Sequence, residues 1–286
     1  MTKSIVRLIL AASALTLAAC GGGGGTEIAT IPPPPPPPPP TSPQAIIPAA
    51  TMSQQFAAVG ASHSFDHNSQ TPLLDSDHQL QVRYIQSSNS YEIEFPESAW
   101  EPVLVQGNTV TTPQGGIRMS IRPTDSEYSS LFSWGDGATY FGFEAIGIAT
   151  PASGVPVTGS ANYSGQTAGS TSEIYLNSPL GIRGPIELSF DFGLGTLSGN
   201  ISPTIFSYVD SSSNALGTIS FTNTVYSTGS TTFSGKFDTN LPGVNSFSGL
   251  FTGPHAEELI GNFALPYQSP IDNQTYQADG AFVGAK

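Results

Sequence analysis

The chain has 286 residues, with 8 Lys+Arg against 21 Asp+Glu and a formal net charge of −13. That balance makes nucleic acid and anionic lipid surfaces poor partners. A single cysteine excludes any disulfide within the chain.

Residues 1–19 read as an export signal. Lys3 and Arg7 form a short positive region, and Leu8 to Ala18 an apolar one ending in small residues. The run is shorter than the ~20 apolar residues of a membrane span. Leu17-Ala18-Ala19-Cys20 follows and resembles the bacterial lipobox, which implies cleavage before Cys20 and lipid attachment to its sulfur. Removing Lys3 and Arg7 leaves six basic residues and a net charge of −15. Gly21 stands where an Asp implies inner-membrane retention in similar lipoproteins, so the expected address is the outer membrane. Residues 20–48 then form a Gly/Pro-rich tether. Five glycines are a flexible joint, and Pro32 to Pro40 form a polyproline rod of ~28 Å at 3.1 Å per residue.

From Thr51 onward the pattern is mainly β. Residues 51–59 are expected to make two helical turns, with Met52, Phe56 and Val59 on one side. Strand alternation follows at Leu80-Val82-Tyr84, Tyr91-Ile93-Phe95 and Ile117-Met119-Ile121, each apolar on one face only. After a break near Pro151 to Gly154, Ile186, Leu188, Phe190 and Phe192 alternate with polar residues. A glycine-before-apolar pattern then recurs in Ser198 to Ile201, Ser234 to Phe237, Ser248 to Phe251, Gly261 to Phe263 and Asp279 to Phe282. Repeated strand glycines suit a small, strongly coiled antiparallel barrel. The reading is a handle-like β domain over 51–150, an antiparallel sheet with a short helix. A soluble eight-stranded antiparallel barrel over 155–286 follows, with eight or nine strands after Val155.

Four segments carry a family likeness. They are Tyr140-Phe141-Gly142-Phe143, the run Val155 to Gly165 ("VPVTGSANYSG"), Gly253 to Phe263 ("GPHAEELIGNF") and Asp279 to Lys286 ("DGAFVGAK"). Together they resemble one handle-plus-barrel lobe of the transferrin-binding protein B family. Relatives of that family include haemoglobin-haptoglobin-binding and factor-H-binding surface lipoproteins. The second segment is where such a barrel opens. The third makes a tight turn with about one helical turn, placing Leu259 inward and Glu257 and Glu258 outward. Ile260 stands where the family prefers Gly, and Val283 interrupts its closing Gly-Ala-Phe-Gly. The resemblance implies a cell-surface, outer-membrane lipoprotein that binds a ligand. An iron-bearing or host protein ligand passed to an outer-membrane transporter is one form of this. The alternative is a structural, immune-evasion or adhesion lipoprotein with no uptake role. No cofactor is implied, and ligand-binding residues cannot be carried over because they lie in variable loops.

Other candidate sites are weaker. His63, Asp66, His67, Asp75, Asp77 and His78 have metal-ligating chemistry, but "HNSQTP" does not form the helix that would align an i, i+4 pair, so a solvated loop is expected. His255 beside Glu257 and Glu258 lies in the family turn. No nucleophile elbow or phosphate loop occurs, so catalysis is not expected. Trp100 and Trp134 are either binding aromatics or anchors of the handle core.

Overall fold

The computed structural model describes residues 45–64, 79–95, 98–113, 115–122, 124–136 and 140–286. The signal and most of the tether, Cys20 included, fall outside them, but residues 45–48, expected in the tether, belong to the handle: Ile46 and Ile47 are buried in its core, and Tyr91 Oη donates to the Ile47 carbonyl. The first part contains ten short strands: β1 (Gln54–Gln55), β2 (Ala57–Ser64), β3 (Gln81–Ile85), β4 (Ser90–Glu94), β5 (Glu101–Pro102), β6 (Leu104–Gln106), β7 (Thr109–Thr111), β8 (Arg118–Arg122), β9 (Ser129–Gly135) and β10 (Tyr140–Gly147). They form two antiparallel sheets, ordered β1-β3-β4-β5 and β2-β10-β9-β8-β7-β6. The alternating apolar residues expected of β3, β4 and β8 explain the pairing of sheets. Val82, Tyr84, Tyr91 and Ile93 of one meet Val110, Met119, Phe132 and Trp134 of the other in a single buried cluster. Trp134 is thus a core anchor.

The helix expected over 51–59 is not there. Gln54 and Gln55 pair with Tyr84 and Arg83, and Ala57 to Ser64 pair with β10 along their whole length. Phe56, between the two strands, is buried beside Tyr91, whereas Met52 is 67% exposed. Two isolated helical turns are marginal by themselves, and an eight-residue ladder satisfies the same backbone groups while seating Phe56 in the core.

The second part holds β11 (Ser160–Tyr175), β12 (Ser178–Asp191), β13 (Thr196–Ile201), β14 (Thr204–Phe206), β15 (Ser213–Ala215), β16 (Ile219–Val225), β17 (Thr232–Phe237), β18 (Ser246–Thr252), β19 (Glu258–Gln268) and β20 (Thr275–Ala285). These ten strands exceed the eight or nine expected, because β14 and β15 form an annexed hairpin on β12. The other eight close into an antiparallel barrel. β11 pairs with β12 on one side and with β20 on the other, and the circuit runs β11-β20-β19-β18-β17-β16-β13-β12.

The barrel is filled, not hollow. Phe190, Phe192, Phe233, Phe251, Tyr163 and Tyr226 form one contiguous aromatic cluster inside it. The recurring strand glycines make room for such rings. A Cβ at Gly249 would lie 2.4 Å from the Phe233 ring, and one at Gly261 would lie 2.1 Å from the Phe282 ring. The outward face is polar: Ser189 donates to Asn162, and Asn200 to Glu187, across neighbouring strands. An apolar lipid-facing band is the opposite arrangement.

The handle lies against the barrel wall formed by β11, β19 and β20. Leu131, Phe143 and Ala145 of the handle meet Ala168, Ile260, Ala281 and Val283 of the barrel. The two departures from the family pattern, Ile260 and Val283, are cross-strand neighbours here and fill this seam. Two barrel carboxylates cross it. Glu258, buried, accepts hydrogen bonds from the Glu127 and Tyr128 N–H groups and from Ser129 Oγ (2.6 Å). Asp279, 1% exposed, lies 2.5 Å from His63 Nε2.

Candidate functional site

Eleven large hydrophobic side chains stand out as exposed among the described residues, and six share one end of the barrel. Ile174 lies at the end of β11, and Leu176, Tyr208, Val209, Val244 and Ile271 belong to the connections β11–β12, β14–β15, β17–β18 and β19–β20. Strands alternate in direction, so these four connections emerge at the same rim. Hydrogen bonds join them. Tyr175 reaches Asp210, Ser269 Oγ donates to Glu173 Oε1 at 2.8 Å, and the Gln277 side chain brackets Val244 through its N–H and C=O. Exposed apolar residues scattered singly need no explanation, but a contiguous group on one rim marks an interaction surface.

Two of the connections are copies of one turn. In 207–212 ("SYVDSS"), the Val209 N–H donates to Ser207 Oγ (3.1 Å) and the Ser212 N–H to Asp210 Oδ1 (3.0 Å). In 269–274 ("SPIDNQ"), the Ile271 N–H donates to Ser269 Oγ (3.0 Å) and the Gln274 N–H to Asp272 Oδ1 (2.9 Å). Ser211 and Asn273 hold the same left-handed conformation, φ 62° and 61°. Both turns close with the first residue's N–H on the sixth residue's carbonyl. The serine and aspartate caps fix the backbone so that the third residue, Val209 or Ile271, points to solvent. Hydrogen bonds, those from Ser212 first, hold the exposed Asp210 carboxyl down at about 2. The Tyr276 hydroxyl does the same in direction for Asp272.

The β11–β12 connection is a two-residue hairpin turn. Leu176 and Asn177 both have positive φ, 51° and 61°. Asn suits that conformation and Leu does not. A leucine that is 54% exposed in an unfavourable backbone conformation has no role in the core and is a sign of function at the tip.

The residues singled out by sequence lie elsewhere. Of the histidine cluster, His63 is in β2 and faces Asp279, while Asp66, His67, Asp75, Asp77 and His78 fall outside the described residues. Among the described residues no group of three or more His, Cys, Asp or Glu could hold a metal ion. Trp100 lies under the Arg83 guanidinium, 4.2 Å from ring centre to carbon, on the handle. His255 and Glu257 are in the turn before β19, at the opposite end of the barrel. That turn contains no helical turn: residues 253–256 form a plain turn, and Tyr163 Oη donates to the Ala256 carbonyl. Glu258, expected outside, is buried in the seam because the handle offers it three donors, two backbone N–H groups and the Ser129 hydroxyl. The rim itself was missed. Its one sequence signal is the repeated Ser-x-(Val/Ile)-Asp, visible only when the two turns are set side by side.

Comparison with known proteins now bears on the barrel. Residues 155–286 match the family model of C-lobe and N-lobe beta barrels of Tf-binding protein B. The match covers the barrel, a little under half of the chain, and that family is described by a binding protein. Among solved structures, a Transferrin Binding Protein B from Haemophilus parasuis Hp5 aligns at 18% identity and TM-score 0.45, over 80% of this chain and 44% of that one. The protein from serogroup B Neisseria meningitidis aligns at 16% and 0.44, over 80% and 43%. Haemoglobin receptor HpuA from Kingella denitrificans aligns at 13% and 0.43, over 84% and 89%. The chain thus spans less than half the length of the transferrin-binding proteins it matches. No curated protein sequence matches it.

Proposed function

We propose that this chain is an outer-membrane lipoprotein, anchored by lipid on Cys20 and lifted off the membrane by the 20–48 tether. Its barrel rim docks a protein ligand at the cell surface. The ligand is an iron-bearing or host protein, handed on to a partner transporter. The observation that carries the docking role is the rim: six exposed apolar side chains at one end of the barrel, three of them on capped, hydrogen-bonded turns. Preorganised turns cost little ordering on binding, and an aromatic with aliphatic neighbours is the usual centre of a protein interface.

The test uses the full chain and two probes chosen from the names of the matched structures, human haemoglobin and transferrin. Binding to immobilised wild type is compared with a L176S/V209S/I271S variant. The reading predicts binding of one probe, weakened at least about tenfold in the variant. Binding that the variant retains in full removes the rim from the site, and absence of binding by either removes the iron-protein ligand. Cys20→Ala is expected to move the protein from the membrane to the soluble fraction. Protease shaving of intact cells, with a periplasmic control, tests display at the surface.

A further inference from the structure

Basic side chains are scarce, eight in the whole chain, yet two of them, one from the handle and one from the barrel, flank Tyr208 without an acid. Arg122 closes β8 of the handle, and Arg183 lies in β12 of the barrel. Arg122 sits 5.7 Å from the Phe143 ring centre, and Arg183 sits 4.6 Å from that of Phe206. Phe206 in turn packs edge-on against Tyr208 at 4.8 Å. Tyr208 Oη leans over Gly181, where an added Cβ would meet it at 2.8 Å, and reaches the Arg122 guanidinium. Arg122 Nε is buried and has no hydrogen-bond partner. Among the described residues no carboxylate lies within ion-pair distance of Arg122 or Arg183, in contrast to Arg83, which holds Glu92.

This arrangement is unfavourable as it stands. Burial lowers the Arg122 pKa, Tyr208 opposes that, and the nearby Arg183 lowers it further. Two guanidinium groups kept together in an acidic protein, one with a sheltered free donor, are the components of an oxyanion site. Phe143 and Phe206 lie against the guanidinium groups, while Arg183 and Tyr208 stay open to solvent, so an anion can reach a site whose inner donor, Arg122 Nε, is sheltered.

We propose that Arg122, Arg183 and Tyr208 form a cradle for a carboxylate group. Tyr208 stands on the apolar rim and in the cradle, so a protein docked on the rim would bring an acidic side chain to it. That extension rests on the rim being a docking surface. The cradle itself does not, and it is testable with small anions.

The experiment follows the Arg122 Nε–H resonance of the full chain by nitrogen-15 spectroscopy. The sheltered Nε–H makes it observable. Sodium acetate, inorganic phosphate and a tetraglutamate peptide are titrated at constant ionic strength. The cradle predicts a saturable shift at Arg122 with acetate, absent at Arg83, and weakened about tenfold in R183Q. Tetraglutamate binding more tightly than acetate at equal carboxylate concentration assigns the site to a polypeptide acid, and equal affinity assigns it to a free carboxylate. A shift that does not saturate, that R183Q leaves unchanged, or that phosphate alone produces overturns the proposal. R183Q keeps the observed arginine in place, and its melting temperature shows whether the fold is intact. Failure of the rim variant with an intact acetate response separates the two readings.

Discussion

The inside of the barrel and the seam between barrel and handle are both fully buried, yet they are built by opposite rules. The barrel interior is a mesh of phenylalanine and tyrosine rings, with strand glycines cut to their shape. The seam is small and aliphatic, crossed by carboxylates: Glu258 on the handle backbone and Asp279 on His63. Beside it, Glu144 of β10 accepts the Leu80 N–H at 3.0 Å. Non-directional packing stabilises the barrel, and directional polar contacts set where the handle sits on it. Rings tolerate small displacements, whereas a carboxylate receiving three donors does not.

Substitutions can break this contrast in order of size. Phe251 packs against five aromatic rings, so Phe251→Ala is expected to cost about 3–5 kcal/mol by chemical denaturation, melting barrel and handle together. Glu258→Ala strands buried donors and costs about 2–3 kcal/mol. It should also raise hydrogen exchange at Glu127 and Tyr128 ahead of the barrel strands. Equal exchange in both regions would show that the seam has no local stability of its own. The acids sharpen the comparison through pH. Burial, opposed by hydrogen bonds from Leu80 and Trp134, raises the Glu144 pKa well above 4.5, and burial, opposed by His63, raises that of Asp279. A raised carboxyl pKa means the folded state binds the proton more tightly than the unfolded one. The resulting stability is present below the ordinary carboxylate range and is lost as pH rises through the folded value. Glu144→Gln should therefore flatten the decline in melting temperature as pH rises above the ordinary carboxylate range. The smallest effect is at the rim. Leu176→Asn relieves a left-handed leucine and is expected to stabilise by about 0.5–1 kcal/mol, while weakening docking.

The barrel was readable because two signals coincided there: period-two alternation in β12, and strand glycines facing rings. The strands β3, β4 and β8 showed the same alternation. Residues 51–59 misled, since "SQQFAAV" fits a helical face locally, and only the distant β3 and β10 show that Gln55 and Ala57 belong to two different sheets. Ile260 and Val283 were visible as departures from the family pattern, but their purpose needed the handle beside them. Glu258 looked like a surface acid because its donors lie about 130 residues away and two of them are backbone amides, which leave no mark in a sequence. The rim was hidden for a related reason. Its side chains are ordinary aliphatics, and what makes them a surface is the turn geometry beneath them.

The position of β20 has a consequence for how this molecule is made. That strand lies between β11 and β19, with Ser164 facing Ala285 and Glu258 also facing Ala285 at its far end. The ring of strands therefore stays open until residues 275–285 arrive. Until then β11 and β19 are bare edges with unsatisfied amides, the kind that recruit other chains. The pairing joins segments more than a hundred residues apart, and such distant closures are slow. The circuit therefore closes in one late step, when β20 pairs with both β11 and β19. Deleting 275–286 should thus yield an aggregating species rather than a slightly weaker barrel.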